Sequence, residues 1–190
     1  KRSGAKEYDL ICVSGDLGAA YMGLQILERE KQVFLADAEM QPELDAYEYI
    51  IGQQLKAEAR VDVVEWLSKS NILPNSMIDL SDGLASDLLH ICKQSGVGAT
   101  IYEDKLPVDS ATTEAALEFR LSPATVSLHG GEDYELLFTV EQKHHQVIQE
   151  QPGISIIGHI TDQGQGAKLV AASGEIVEIE AQGWKHFGNG

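Results

Sequence analysis

This sequence predicts an α/β or α+β sandwich built on a largely mixed sheet, and three observations carry the prediction. Short apolar runs alternate with segments of helical spacing over the first two thirds of the chain. Three closely spaced apolar runs with only turns between them close the chain as a meander. A length of 190 residues with 43% hydrophobic content is enough for one sizeable core, or at most two small ones.

Taken in order, Glu7 to Ser14 (EYDLICVS) reads as a buried strand, and Ala19 to Glu30 as a helix with Met22, Leu24, Ile26 and Leu27 at helical spacing. Between them, Gly15-x-x-Gly18 is too short for a dinucleotide fingerprint; it fits close backbone packing or ligand contact. Residues 31 to 75 are expected to be mostly helical. Pro42 opens one segment at the first helical position, and Val61, Val64 and Leu67 mark a second that ends before Pro74. Ser76 to Leu80 is a short strand. Leu84 to Gln94 is the helix behind it, with Leu84, Leu88 and Ile91 on one face and Gly96 as its stop. A strand at Val97 to Tyr102 follows, then a helix near Ser110 to Phe119. Glu135 to Val140 is a strand and Glu141 to Glu150 holds a short helix. The last strands lie near Ile154 to Ile160, Lys168 to Ala172 and Glu175 to Ile179, the final pair joined by a Ser173-Gly174 hairpin signal.

Charge and cysteine usage narrow the function classes. A net charge of −16 leaves no basic surface for a phosphate backbone, so nucleic acid is not expected as a partner. A phosphorylated small molecule remains possible if cations offset the repulsion. No apolar run reaches membrane-spanning length, so no membrane is expected. Cys12 and Cys92 stand alone in apolar surroundings, as core thiols of a cytoplasmic protein would. The start, Lys1-Arg2-Ser3-Gly4, lacks an initiator Met and lies close to a strand, which suggests a piece of something longer.

The run Met77-Ile78-Asp79-Leu80-Ser81-Asp82-Gly83-Leu84 places two carboxylates and a hydroxyl on a strand-to-helix turn. Such a turn exposes unpaired helix amides that suit an anion, while Asp79 and Asp82 are themselves anionic. A hard cation bridging the carboxylates to a phosphate would reconcile the two, which points to Mg²⁺-phosphate handling. The alternative is that Ser81 or Asp82 simply caps the helix. A second turn, His129-Gly130-Gly131-Glu132-Asp133-Tyr134, combines paired glycines with acceptors, and it reads either as a ligand loop or as an acidic loop before a strand. The sequence holds no Gly-x-Ser-x-Gly elbow and no His-Glu-x-x-His helix. Gly153 to Gly158 is followed by His159-Ile160 where a P-loop needs Lys and Ser or Thr. Of six histidines, only His129, beside the glycines, is kept as a candidate.

Together, RSGAKEYDLICVSGDLGAA, IDLSDGLASDL, HGGEDYELLFTV and the closing GWKHFG resemble the thiamine-monophosphate kinase family, in that family's order and across nearly the whole chain. Its wider relatives are the aminoimidazole ribonucleotide synthetase superfamily, with selenophosphate synthetase and a hydrogenase maturation factor. The resemblance implies that residues 1–190 form a single carboxy-terminal domain, a three-layer α/β/α sandwich with a mixed sheet. It also implies that an amino-terminal domain is absent from this chain, and with it most metal-binding aspartates and the homodimer interface. The implied reaction is phosphorylation of thiamine monophosphate to thiamine diphosphate, with ATP as co-substrate and Mg²⁺ as the metal. Carried over by motif, Arg2 and Ser81 contact ATP and Asp79 and Asp82 bind Mg²⁺. Glu132 contacts substrate, and so does the aromatic at Trp184, with Phe187 the weaker match. The stretch GQQLKAEARVD departs from a more proline-rich family pattern and leaves the geometry near Lys56 to Arg60 open. The isolated domain is expected to be inactive. Two alternatives stand beside the kinase: a non-catalytic nucleotide- or metal-binding module of the same fold, and an ATP-using relative with another substrate.

Overall fold

The computed structural model describes residues 1–37, 39–42 and 44–180. Among the described residues, seven strands form one sheet in the order β2-β4-β1-β5-β3-β6-β7. They are β1 (Leu10–Ser14), β2 (Ser76–Asp79), β3 (Gly98–Tyr102), β4 (Leu136–Val140), β5 (Ile154–Thr161), β6 (Ala167–Val170) and β7 (Ile176–Glu178). Only β3 and β6 run parallel; every other pairing is antiparallel, so the sheet is mixed as the sequence predicts.

Alternation along the central strand separates the layers, because successive strand residues point to opposite faces. Ile11 and Val13 of β1 face the cluster formed with α4 (Leu84–Ser95), where Leu84, Leu88 and Ile91 are buried. Leu10 and Cys12 face the other way, onto Val63 and Leu67 of α3 (Val61–Lys69) and Ile148 of α7 (His145–Gln149). A third apolar cluster joins α1 (Ala19–Ala36), α2 (Glu48–Leu55), α5 (Ser110–Glu118) and α6 (Pro123–His129) through Met22, Ile26, Ile50, Ala116 and Val126. The result is the three-layer α/β/α arrangement, with Phe138 fully buried within it.

Four local expectations need revision. Helix α1 runs six residues beyond Glu30. Pro42 does not open a helix; a 3₁₀ turn at Asp45–Tyr47 precedes α2, which starts at Glu48. In α3, Val61 and Val64 are exposed while Val63 and Leu67, one turn apart, form the buried face. Helix α6 was not expected at all, although Ser122-Pro123 is a legitimate helix start. At the first turn, a Cβ on Gly15 would overlap the Glu135 carboxylate and one on Gly18 would meet Val126, so close packing accounts for both glycines.

Candidate functional site

Strands β2 and β4 pair up to Asp79 opposite Leu136, and the pairing continues past both strand ends. The Leu80 N–H donates to the Glu135 carbonyl, and the Tyr134 N–H to the Leu80 carbonyl, at 2.8 Å each. One residue further, the Glu132 N–H donates to the Ser81 carbonyl at 3.0 Å. The two glycine-bearing turns, some fifty residues apart in sequence, are thus docked backbone to backbone. A Cβ on Gly131 would lie 2.9 Å from the Ser81 carbonyl, and one on Gly83 would lie 3.0 Å from the Leu128 carbonyl. Both glycines also have positive φ, +70° and +105°, where a side chain is strained.

This docking brings together four of the residues singled out in the sequence. Asp79, Asp82 and Glu132 are exposed and Ser81 is half-buried. Glu132 holds a left-handed conformation, φ +62°, and accepts a hydrogen bond from the Tyr134 hydroxyl at 2.9 Å. That bond and the nearby Glu132 charge hold the Tyr134 phenol above its usual pKa, with a smaller contribution from Asp79. Asp79, Glu132 and Tyr134 therefore share one patch. Tyr134 was not singled out in the sequence.

The helix-cap reading of the acidic turn fails. Helix α4 begins after Gly83, and no side chain caps it. Instead the carboxylate of Asp87, one turn into the helix and buried, accepts the N–H groups of Ser81 and Asp82 at 3.1 and 3.2 Å. Those two amides point inward and are already satisfied. Burial raises the Asp87 carboxyl above the usual carboxylate range, opposed by the same backbone donors. Asp87 is a second residue that the sequence reading passed over, because its burial follows from the helix packing on the sheet.

Neighbouring elements clamp the glycine turn. The Gly18 N–H donates to both oxygens of Asp133 at 3.0 Å, which ties the turn to the start of α1. Burial pushes the Asp133 carboxyl up to about 7, against the lowering effect of the Gly18 and Ala20 amides. Glu135 accepts from the Ser14 hydroxyl and from Arg60 at 2.5 Å, and Arg60 also pairs with Asp62 at 3.0 Å. This ion pair gives the unusual Lys56 to Arg60 stretch its local anchor.

On the α4 side, Ala85, Leu128, His129, Leu169, Val177 and Ile179 line a cavity of about 410 Å³. Burial holds the His129 imidazole below its usual pKa. Arg2 is exposed on the segment beside β2, where the Lys1 carbonyl accepts the Met77 N–H at 2.7 Å. Trp184 and Phe187 lie outside the described residues. Among the described residues, no group of three or more His, Cys, Asp or Glu side chains is arranged to hold a metal ion, and no helix is long and apolar enough to cross a membrane. Asp79 and Asp82 do offer the hard oxygen donors that Mg²⁺ takes one or two at a time, beside substrate phosphates.

The likeness to known proteins extends over nearly the whole chain. The family model described as AIR synthase related protein, C-terminal domain, matches residues 9–170. The thiamine-monophosphate kinase of Escherichia coli (strain K12) is 38% identical over 196 residues, covering 98% of this chain and 54% of its own. That of Aquifex aeolicus (strain VF5) is 33% identical over 187 residues, covering 98% and 54%. The chain spans about half the length of the curated relatives it matches. The solved structure of AaThiL complexed with AMPPCP and TMP superposes with a TM-score of 0.76 at 31% identity, over 98% of this chain and 53% of that one. Thiamine-monophosphate kinase from Stenotrophomonas maltophilia K279a gives 0.73 at 30%, over 95% and 54%. The hydrogenase maturation protein HypE of E. coli, at 17% identity and 0.68 over 95% and 51%, shares the fold. With a family model covering residues 9–170, the chain belongs to the AIR synthase related proteins and carries their C-terminal domain.

Proposed function

We propose that residues 1–190 are the carboxy-terminal domain of a two-domain kinase that phosphorylates thiamine monophosphate to thiamine diphosphate, supplying one half of the active site. The observation that carries this reading is the docking of the two turns, which gathers Asp79, Ser81, Asp82 and Glu132 at one end of β2 and β4. Similarity to thiamine-monophosphate kinases over 98% of the chain supports the substrate. The AMPPCP and TMP bound by a similar protein support ATP and thiamine monophosphate as the ligands.

A terminal phosphate oxygen of thiamine monophosphate attacks the γ-phosphorus of ATP in line, the bond to the bridging oxygen of ADP breaks, and ADP leaves with that electron pair. The nucleophile is already ionised, so no general base is required. The difficulty is bringing two polyanions together on a protein of charge −16. Bound Mg²⁺ would supply the neutralising charge, and Asp79 and Asp82 are the side chains of this chain that would hold it. Ser81 would donate its hydroxyl to a nucleotide phosphate oxygen, and Arg2 would contact ATP. Glu132 would attract the cationic thiazolium or accept from the aminopyrimidine. Trp184 would stack on a ring.

An amino-terminal half belongs to this reading because the chain spans about half the length of the curated relatives it matches. Lys1 pairs with Met77 and Gly4 packs on the Asn75 carbonyl, so the first residues run opposite to β2. Full-length homodimerisation through that half, and a cytoplasmic setting consistent with the buried free thiols Cys12 and Cys92, belong to the same reading.

Asp79→Asn in the two-domain protein tests it. The account expects turnover to fall at least about 100-fold, the scale of losing one charge-stabilising group, with the thermal midpoint unchanged because Asp79 is exposed. Wild-type turnover in that variant would remove Asp79 from the site.

A further inference from the structure

Ser81 and Asp82 carry the proposed nucleotide and metal contacts, yet neither orients itself. Their backbone is gripped from two sides. From the outer side, the Ser81 carbonyl is held by the Glu132 N–H. From beneath, both N–H groups are held by one oxygen of Asp87, whose side chain is buried against the sheet and only 1% exposed. The Asp87 N–H itself donates to the Gly83 carbonyl at 3.0 Å, so the carboxylate is fixed to the first turn of α4. Two donors converging on one buried acceptor restrain the backbone of the turn, from which the Asp82 side chain emerges into solvent.

We propose that Asp87 is a positioning residue for the Mg²⁺-nucleotide site: by binding the Ser81 and Asp82 amides from below it aims the Asp82 carboxylate and the Ser81 hydroxyl outward. It touches neither substrate nor metal. The inference rests on the proposed phosphoryl-transfer reading. It also has a consequence for phosphate recognition. The Ser81 and Asp82 amides are occupied by a protein carboxylate, so nucleotide phosphate is met at this turn by the Ser81 hydroxyl and by cations, and not by these two backbone donors.

Two variants of the two-domain protein separate positioning from general structure. Asp87→Ala removes the acceptor, whereas Asp87→Asn keeps a carbonyl oxygen at the same place. Amide exchange followed by NMR reads the turn directly: in D87A the Ser81 and Asp82 amides lose protection by at least tenfold while the Glu132 amide keeps its own. Electron paramagnetic resonance of Mn²⁺, titrated in the presence of ATP, reads the metal site. The expected result is at least tenfold weaker Mn²⁺ binding in D87A and recovery of most of that loss in D87N. In the Mg²⁺-dependent assay, half-saturation by Mg²⁺ rises in D87A, and KM for thiamine monophosphate changes by less than twofold. Mn²⁺ affinity and Mg²⁺ half-saturation unchanged in a folded D87A overturn the proposal, as does a D87N that behaves like D87A. Wild-type protein that binds no Mn²⁺ with ATP overturns the metal reading itself. The wild-type control therefore tells the two failures apart.

Discussion

Glu132, proposed to meet substrate, sits at a cost to the fold. Its φ of +62° lies in the left-handed region, and its side chain is exposed, so packing does not explain the choice of a glutamate there. A left-handed L-residue costs about 1–2 kcal/mol, and glycine would release that while adding about 0.4–1 kcal/mol of unfolded-chain entropy. Glu132→Gly should therefore leave the thermal midpoint equal to wild type or slightly higher, and raise KM for thiamine monophosphate at least tenfold in the two-domain protein. An unchanged KM would show that the carboxylate does not meet substrate. At this scale the sequence was partly legible. Asp79, Ser81, Asp82 and Glu132 belong to short motifs whose chemistry can be read locally, and the structure places them together. Asp87 and Tyr134 lie within the same motifs but were passed over. Their roles depend on burial and on a partner across a turn, neither of which residue type or spacing reveals.

At the level of elements, the glycine turn is held by a strand, a helix start and another turn, and its Asp133 clamp makes that hold sensitive to pH. The folded carboxyl titrates near 7, against about 3.9 when unfolded. Between those values the folded state binds more protons, so the stability this group contributes is fully present below about pH 4 and is lost as pH rises through about 7. Asp16 and Glu135 are also raised, chiefly by burial, and act with the same sign. Asp133→Asn keeps an acceptor for the Gly18 amide and removes the charge. Its urea midpoint should fall less between pH 5 and pH 8 than that of wild type, while the Asp16 and Glu135 contributions persist. Parallel curves for the two proteins would contradict the assignment. Strands and helices with strong periodicity were legible, as in Leu84, Leu88 and Ile91 of α4, all buried. Helix α6 was missed because seven residues give too little periodicity to weigh, despite Pro123 at its start. The face of α3 was misread because Val61 and Val63 are equally apolar, and only packing decides between them.

For the whole molecule, an α/β/α sandwich on a mixed sheet was legible from the order of elements, whereas the strand order β2-β4-β1-β5-β3-β6-β7 was not. It depends on pairings such as Ser76 with Thr139, joined by a buried 2.8 Å hydrogen bond between their hydroxyls across sixty-three positions. That same long-range pairing of β2 with β4 builds the site, which is why two motifs that look separate in sequence act as one surface. The surface is open and acidic, with Asp79, Asp82 and Glu132 exposed on it. The central claim is that this chain supplies half of a phosphoryl-transfer site. The most direct test is phosphorylation of thiamine monophosphate, with ATP and Mg²⁺, by this chain alone and after mixing with the separately expressed amino-terminal domain. The account predicts turnover only in the mixture, and its loss when the chain carries Asp79→Asn. Turnover by the chain alone would contradict it, as would silence from halves that sedimentation shows to be folded and associated.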